Sequence, residues 1–329
     1  MTSHEIIRKA IEFDNPPRIG IRFDEVGLND TYTVACGFGK NYEPSSPDED
    51  EWGYVHEKTD LANMGQVKNH PIKTLEDLKN HPFPDPHDDA RYEPVAMVLP
   101  YAGDRYVLGY IGFGLFEQLH FLHGFTESLA DFYLNPTLIE NVLDIILDFK
   151  LGLIENLARR FPGQIHGVTM TDDWGTQQST FISVPMWRQF FRPRYEKLFG
   201  AAHRAGMHFW LHSCGKVNDL LPEFIDLRLD VINLQQPRAL GIEEIGKRFR
   251  GKICFESLVD IQTTLPHGTR EQIEEEARLL LEHWATPQGG FILSDYDDSA
   301  AIQVSYEQKK TMFEAFRRIG NLDDSILSS

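Results

Sequence analysis

IHGVTMT at residues 165–171 and MHFWLH at residues 207–212 are two apolar stretches, and a helical stretch at 185–205 separates them. Further strand-like stretches occur on either side, namely RIGIRFD (18–24), YVLGYIG (106–112), DVINL (230–234), KICFE (252–256) and GFILS (290–294). Helical segments alternate with these strands, and such alternation predicts a parallel sheet. No G-x-G-x-x-G follows a strand, which argues against a dinucleotide-binding fold. The pattern predicts an α/β (β/α)₈ (TIM) barrel.

The count of strands is one short of that barrel, so we expect an eighth strand within the irregular segment or near the C-terminus. The irregular segment comprises residues 40–92, which contain six prolines with aromatic and acidic residues between them. Its one predicted helix covers 75–80. Long irregular segments in compact domains often cover a functional site, so we expect this one to lie over the active-site face. Residues 1–329 are then a single barrel domain.

Composition narrows the classes of partner. The chain has 32 basic and 50 acidic residues and a formal charge of −18. A protein this acidic repels phosphate backbones and anionic membrane surfaces, so we expect no nucleic acid and no membrane among its partners. No apolar run is long enough for a membrane span, and the charged N-terminus does not resemble a signal peptide. Three scattered cysteines do not make a disulfide framework. The expected location is the cytoplasm.

Polar residues gather at the predicted carboxyl ends of the strands, where barrel enzymes place their active sites. His212 and Cys214 stand two residues apart just beyond a strand, and imidazole and thiolate are ligands that suit zinc. A catalytic zinc needs a third protein ligand. The alternative is a core histidine followed by a buried cysteine before the turn at Gly215. Cys254 lies within a strand, where it packs as a small hydrophobic residue.

Other candidates are acidic or aromatic. Asp172 and Asp173 follow the strand at 165–171 and are candidates for acid–base chemistry, although adjacent residues point apart, so that one faces the site and the other caps or pairs. Gln177 is a candidate for orienting substrate, and the alternative for this stretch is a stabilised turn. Glu117, near the start of a helix, is either a pocket residue or a first-turn acid favoured by the helix dipole.

Residues 171–217, TDDWGTQQSTFISVPMWRQFFRPRYEKLFGAAHRAGMHFWLHSCGKV, resemble the uroporphyrinogen decarboxylase superfamily, and most closely its branch of cobalamin-dependent methyltransferases. DEWG (50–53), GLFEQLHFLHGFTESLAD (114–131), VDIQTTLPHGT (259–269) and residues 289–305 support the resemblance. It implies a (β/α)₈ barrel with its funnel at the carboxyl ends of the strands. Homodimers are common among such barrels, which makes a homodimer an expectation.

Two departures from the family pattern decide the branch. Uroporphyrinogen decarboxylases carry an arginine-rich N-terminal segment that grips the carboxylates of the substrate, whereas the first strand here has only Arg18 and Arg22. In the thiol-activating methyltransferases of the family, zinc is held by His-x-Cys and a later cysteine, which is missing here. The family pattern puts Asp297 at that position, so the resemblance implies zinc ligands His212, Cys214 and Asp297, with Glu256 or Glu117 as a fourth. The alternative is that Asp297 caps a helix and no metal binds.

The resulting hypothesis is a zinc-assisted, corrinoid-dependent methyltransferase that moves a methyl group between a small methylated substrate and a corrinoid protein. Asp172 or Asp173 would handle the proton, and Glu117 and Gln177 would position the substrate. Trp52 and Tyr54 are expected to line the rim of the funnel where the corrinoid docks. The alternatives are a decarboxylase or lyase for a small carboxylated substrate and a non-catalytic tetrapyrrole-binding barrel. Candidates for the carboxylate clamp of a decarboxylase are Arg18, Arg22, Arg188 and Arg238.

Overall fold

A computed structural model describes residues 1–24, 27–57 and 66–320 of the chain. The strands are β1 (Gly20–Phe23), β2 (Leu28–Asn29), β3 (Thr31–Ala35), β4 (His56–Glu57), β5 (Gln66–Val67), β6 (Tyr106–Phe113), β7 (Gly167–Thr171), β8 (His208–His212), β9 (Val231–Leu234), β10 (Cys254–Ser257) and β11 (Phe291–Ser294). The α-helices are α1 (Ser3–Glu12), α2 (Leu75–Asn80), α3 (Glu93–Val98), α4 (Leu115–His123), α5 (Phe125–Leu134), α6 (Pro136–Arg160), α7 (Val184–Phe190), α8 (Arg192–Arg204), α9 (Leu221–Asp226), α10 (Pro237–Leu240), α11 (Ile242–Phe249), α12 (Thr264–His267), α13 (Arg270–Trp284) and α14 (Tyr306–Ile319).

Eight parallel strands form the barrel, in the order β3, β6, β7, β8, β9, β10, β11, β1, and β2 adds to β1 as an antiparallel strand. The two ends of this sheet meet at Asp30. The Asp30 backbone N–H donates to the carbonyl of Ile21 at 2.7 Å, and the Tyr106 N–H donates to the carbonyl of Asp30 at 2.8 Å. The sheet is therefore nearly closed, and the predicted TIM-barrel fold is confirmed.

All seven predicted strands are present, but the predicted place of the eighth is wrong. The eighth parallel strand is β3, which lies ahead of the irregular segment rather than within it or near the C-terminus. The described part of the connection from β1 to β3 contains only the two-residue strand β2, so the alternation of strands and helices does not indicate β3. The strand also contains Thr33 and Ala35, which are exposed, so its pattern is less apolar than that of the other strands.

The helix predicted at 75–80 is present as α2, whereas the other predicted helix is divided in two. The segment predicted as one helix at 185–205 consists of α7 and α8, which meet at Phe191. Pro193 lies in the first turn of α8. Because proline has no N–H to donate to the preceding turn, it ends α7. In the first turn of α8 the missing N–H costs no hydrogen bond, so the same proline can begin that helix. Among the described residues, no helix is both long and apolar enough to cross a membrane.

The irregular segment has little regular structure in its described part, as predicted. It contains the antiparallel pair β4–β5, helix α2 and a 3₁₀ helix at Asp89–Tyr92, while residues 58–65 lie outside the described part. Its aromatic side chains pack beside the carboxyl end of β6. The Tyr54 ring lies 5.3 Å from that of Phe121 on α4, and the Trp52 ring lies 5.0 Å from that of Phe149 on α6.

The barrel interior has an apolar base and a polar top. Helix α1 closes the base, where its residues Ile7, Ala10 and Ile11 pack with a cluster from the strands that comprises Tyr106, Leu108, Trp210, Val231, Cys254 and Ile292. Side chains on a strand alternate between faces, so the residue two positions further along points to the same interior. Those residues are polar on every one of these strands, namely Tyr110, His212, Asn233, Glu256 and Ser294. The funnel is therefore hydrophilic at the carboxyl ends of the strands.

Histidines at the edge of this base connect α1 to β6. The ring of His4 on α1 stacks on that of His166 at 4.0 Å, and Nδ1 of His166 accepts the N–H of Val107 at 2.8 Å. Burial, with the neighbouring His4 and His208, lowers the pKa of His166 to about 4. Burial likewise lowers the pKa values of His4 and His208. These imidazoles fold in their neutral form, because a protonated Nδ1 on His166 cannot accept the Val107 N–H.

We predict that the free energy of unfolding falls as the pH is lowered from about 6.5 towards 4. A histidine whose folded pKa is lowered stabilises the fold fully above its unfolded pKa, and it loses that contribution as the pH falls because the unfolded chain binds the proton more readily. In His166→Asn, the amide oxygen accepts the same N–H and does not titrate, so urea titrations at pH 7 and pH 5 should show a smaller loss than in the wild type. Equal losses in the two proteins would contradict this assignment.

Two glycines allow the loops after β7 and β8 to touch through their backbones. The Lys216 N–H donates to the carbonyl of Thr176 at 2.7 Å. A Cβ on Gly215, whose φ is +79°, would lie 2.1 Å from the carbonyl oxygen of Gly175. A Cβ on Gly175 would lie 2.7 Å from the nitrogen of Lys216. Only glycine fits at this contact, which holds the two loops side by side at the mouth of the barrel.

We predict that Gly215→Ala separates these loops and lowers the free energy of unfolding by clearly more than Gly206→Ala does. Gly206 has a similar φ of +73° and no atom within 4 Å of an added Cβ, so its replacement reports the backbone strain alone, about 1–2 kcal/mol. Thermal and urea unfolding of both variants measure the difference. If both variants lose the same stability, the loop contact does not carry the energy assigned to it here.

Candidate metal centre

Three potential metal ligands come together at the carboxyl ends of β7 and β8. They are Asp173, His212 and Cys214, and one donor atom from each lies within 4.8 Å of the others. His212 Nε2 is 3.3 Å from Cys214 Sγ and 3.5 Å from an Asp173 carboxylate oxygen. The side chains of His212 and Asp173 are 19% and 38% exposed, so the group is open to the funnel. Neighbouring strands and their paired loops place these residues side by side.

A second residue orients the histidine. The Nδ1–H of His212 donates to the amide oxygen of Asn233 at 2.5 Å. Asn233 is the partner of His212 in the parallel register of β8 and β9. This hydrogen bond leaves the lone pair of Nε2 directed at Cys214 and Asp173. Metal-binding histidines commonly have their other ring nitrogen fixed by a hydrogen bond of this kind.

The distances from the His212 nitrogen to the other two donors fit zinc. Tetrahedral zinc with a Zn–N bond of about 2.0 Å, a Zn–S bond of about 2.3 Å and a Zn–O bond of about 2.1 Å requires an N···S distance of about 3.5 Å and an N···O distance of about 3.4 Å. The observed distances of 3.3 Å and 3.5 Å match these edges. One nitrogen, one sulfur and one oxygen form an accepted donor set, and three protein ligands leave the fourth position for a substrate.

The thiol of Cys214 carries its proton in the absence of a cation. Burial, together with the negative charge of Asp173, raises the pKa of this thiol above its usual range. The Cys214 backbone N–H also donates to Asp173 at 2.7 Å, which fixes the carboxylate beside the sulfur. A divalent cation would relieve the repulsion between a carboxylate and a thiolate in this position, as metal ligands must be deprotonated when they bind.

The adjacent acids Asp172 and Asp173 have different surroundings. Asp172 is fully buried and points away from the funnel, where its carboxylate accepts the N–H groups of Phe116 and Glu117 at 2.9–3.2 Å and the hydroxyl of Tyr195. It thus caps the N-terminus of α4. Burial raises its pKa to about 6 even with these donors. The hypothesis that Asp172 handles a proton at the active site does not fit this position, because its oxygens do not reach the funnel.

Glu117 supports the end of β7 from behind the metal ligands. Its carboxylate accepts the hydroxyl of Thr171 at 2.7 Å and the backbone N–H of Asp173. It is 6% exposed, and burial, with the charges of Asp173 and Asp172, raises its pKa well above the usual range. The hydroxyl of Thr171 also bonds to Tyr110, which faces the funnel. Glu117 is therefore placed to hold Asp173 rather than to act as a simple first-turn acid.

Gln177 lies on the loop after β7 and is exposed. Its side-chain N–H donates to the amide oxygen of Gln236 at 2.9 Å, and the same oxygen accepts the N–H of Gly215 at 3.2 Å. Gln177 thereby joins the loops that follow β7, β8 and β9 around the metal ligands.

The three other metal ligands implied by the resemblance lie outside this group. Within the described residues, none of Asp297, Glu256 and Glu117 belongs to the group formed by Asp173, His212 and Cys214. Glu256 forms an ion pair with Arg22 at 3.0 Å, and Asp297 is exposed on the loop after β11, three strands away from β8. Asp173 is the third member of the group because β7 is the direct neighbour of β8.

The expected rim residues are buried instead. Trp52 and Tyr54 are 5% and 1% exposed, and they pack on α6 and α4 beneath the irregular segment. Burial raises the pKa of Tyr54, so its hydroxyl remains protonated. The prediction that these two side chains line the rim is wrong, because the irregular segment turns them inwards to form its own contact with the helices.

Sequence reasoning overlooked Asn233, which contacts the centre, and Tyr296, whose pKa is raised in part by the charges of two residues of the centre. Asn233 is the one polar residue in VINL of β9, a signal that the apolar pattern of the strand makes visible. Tyr296 lies on the loop after β11, and its phenol interacts electrostatically with Cys214 and Asp173. Burial and these neighbours raise the pKa of Tyr296. No pattern in the chain distinguishes this tyrosine from others.

Comparison with known proteins identifies the family. A uroporphyrinogen decarboxylase of Bacillus anthracis is 23% identical in an alignment of 201 residues that covers 56% of this chain and 54% of that protein, so the chain matches about half of its relative's length. The structure of a methyltransferase from Methanosarcina mazei shares the fold with a TM-score of 0.58 and 17% identity, covering 78% of this chain and 74% of that one. Residues 61–319 match the family model of uroporphyrinogen decarboxylase (URO-D), and because these residues are most of the chain, the protein belongs to the URO-D family.

Proposed function

We propose that this chain is a zinc-assisted methyltransferase that moves a methyl group between a small methylated substrate and a corrinoid carried by a separate protein. The observation that carries this proposal is the group of Asp173, His212 and Cys214, in which the distances from the His212 nitrogen fit tetrahedral zinc and whose open side faces the funnel. Zinc bound there supplies a Lewis acid to the heteroatom that carries or accepts the methyl group.

The residues of the chain prepare that position. His212, Cys214 and Asp173 are the ligands, and Asn233 sets the direction of the histidine ring. Glu117 and Thr171 hold the backbone of Asp173, and Gln177 joins the surrounding loops. A carboxylate in place of a second thiolate leaves the metal more electron-poor and less firmly held. This choice favours activation of a methylated substrate over activation of a thiol acceptor.

The charges at the mouth are less suited to the alternative, a decarboxylase or lyase. Recognition of a carboxylated substrate requires guanidinium groups in the funnel. Three of the four candidate arginines form ion pairs elsewhere, Arg18 with Asp30, Arg188 with Glu223 and Arg238 with Glu276. Arg22 does face the barrel interior, but Glu256 neutralises it at 3.0 Å. Of these four candidates, only Arg22 faces the interior, and its charge is compensated.

We expect protein purified without an affinity tag to bind about one equivalent of zinc. Asp173→Ala, His212→Ala and Cys214→Ala each remove one of three protein ligands and should lose most of this zinc. Asp297→Ala is the matched control, because Asp297 is an exposed aspartate at the same mouth, and it should keep its zinc. Elemental analysis of dialysed proteins gives the result. Loss of zinc in Asp297→Ala with retention in Asp173→Ala would contradict the ligand set.

The reaction is tested with free cob(I)alamin and a series of small methylated thiols, amines and alcohols. We expect the visible spectrum to change to that of methylcobalamin with one class of donor, and His212→Ala and Cys214→Ala to lower the rate by about 100-fold or more because an electrostatic contribution to the transition state is removed. Carbon dioxide release without a corrinoid would support the decarboxylase, and ligand binding without turnover would support a non-catalytic barrel. Either result would overturn the proposal.

A further inference from the structure

A β-bulge interrupts the pairing of β6 with β7 just before the mouth of the barrel. Tyr110 is the register partner of Thr169 on β7. The next partners are Phe113 and Thr171, so three steps along β6 match two steps along β7. Gly112, whose φ is +84°, supplies a backbone conformation that other residues rarely adopt. Bulges often lie next to active sites, where the extra residue redirects a side chain.

The bulge places Phe113 on the funnel side of β6. Register partners in a parallel sheet have their side chains on the same face, and Thr171 is also the partner of the candidate ligand His212. Phe113, Thr171 and His212 therefore form one row at the mouth of the barrel. Without the extra residue, Gly112 would take the place of Phe113, and this end of the row would have no side chain.

A buried lysine on α6 holds this bulge from behind. Lys150 is 2% exposed, and its Nζ donates to the carbonyl of Ile111 at 3.0 Å. A Cβ added to Gly112 would lie 4.0 Å from the same nitrogen. Removing an ammonium from water costs several kcal/mol, and an apolar side chain would pack α6 against the barrel without that desolvation. The lysine therefore indicates a constraint on the shape of the end of β6 rather than a gain in stability.

Two further rings pack beside Phe113. The ring of Phe121 on α4 lies 5.0 Å away at an interplanar angle of 87°, and the ring of His56 on β4 lies 6.3 Å away. Both distances are within the range at which aromatic rings attract each other. All three residues are only half-buried, so the cluster keeps part of its surface accessible. This aromatic wall of His56, Phe113 and Phe121 contrasts with the polar side chains that the neighbouring strands present at the same level.

We infer that Phe113 is a specificity-determining residue, and that its ring helps to bind a methyl ether or methyl thioether of a small aromatic ring. This inference rests on the proposed metal centre, where the oxygen or sulfur that carries the methyl group would bind. Strands β6 and β8 are two strand spacings apart, about 10 Å, so a single ring attached to that atom extends from the metal to the aromatic wall. The carboxylates of Asp173 and Asp297 at the mouth repel anions and favour an uncharged substrate.

The test uses cobalt(II) in place of zinc, because the binding of a thiol changes the visible spectrum of cobalt. The probes are phenylmethanethiol and cyclohexylmethanethiol, which carry the same thiol group on an aromatic and on a saturated ring of similar size. Phe113→Leu keeps an apolar side chain but has no ring. It should shift the ratio of the two dissociation constants by about 3- to 10-fold against the aromatic probe, because an aromatic pair contributes this factor beyond the burial of area.

Three further variants separate this role from a general effect on the fold. Phe113→Tyr keeps the ring and should bind both probes in the same ratio as the wild type. Lys150→Met removes the ammonium behind the bulge and should shift the ratio in the same direction as Phe113→Leu. Phe161→Leu is the matched control, because Phe161 is a half-buried phenylalanine at the end of α6, beside the histidines of the barrel base, and it should keep the wild-type ratio. If Lys150→Met does not fold, the two Phe113 variants decide.

The outcomes distinguish the two proposals. Wild-type protein without a thiolate-to-cobalt band would overturn the metal centre and this inference together. A normal band, with the same ratio of dissociation constants in wild type and Phe113→Leu, would overturn the role of Phe113 and leave the metal centre intact. A normal band that neither thiol alters in the wild type would have the same meaning.

Discussion

The backbone contact between Gly175 and Gly215 holds the loops after β7 and β8 together, and the candidate site depends on it. Side chains at either glycine would push the loops apart, since an added Cβ would meet backbone atoms at 2.1–2.7 Å. The contact lets the Cys214 N–H reach Asp173 and brings the carboxylate within 3.5 Å of the His212 ring. The donors come from two neighbouring strands rather than from opposite sides of the barrel, so their spacing is set by the distance between paired strands.

The two acids after β7 show how one strand end serves both the fold and the site. Asp172 turns outwards and caps α4, the helix that carries Glu117. This cap connects the helix to the barrel wall. Asp173 turns inwards, and Glu117 holds its backbone. Helix α4, which Asp172 caps, therefore supports Asp173, the next residue in the chain. This arrangement makes the position of Asp173 a property of the packing of α4 as well as of the strand.

Much of the fold follows from local pattern, and the exceptions have physical causes. Apolar strands such as MHFWLH and amphipathic helices such as α11 and α14 are visible in the chain because burial selects their periodicity. Strand β3 does not show this pattern because Thr33 and Ala35 are exposed. His212 and Cys214 are visible by their spacing, but the third ligand depends on which strands are neighbours. Position in the family pattern favoured Asp297, and the parallel pairing of β7 with β8 brings Asp173 instead. Likewise, the inward turn of Trp52 and Tyr54 depends on contacts with α4 and α6 that no local pattern records.

X-ray absorption at the zinc edge measures the coordination of the metal without any substrate and so examines the proposed ligand set itself. We predict a single sulfur at about 2.3 Å, with nitrogen and oxygen ligands at about 2.0–2.2 Å. Removal of the Asp173 carboxylate should alter the nitrogen and oxygen shell, whereas removal of the Asp297 carboxylate should leave the spectrum unchanged. A zinc site without a sulfur ligand, or one whose spectrum changes only when Asp297 is replaced, would contradict the ligand set.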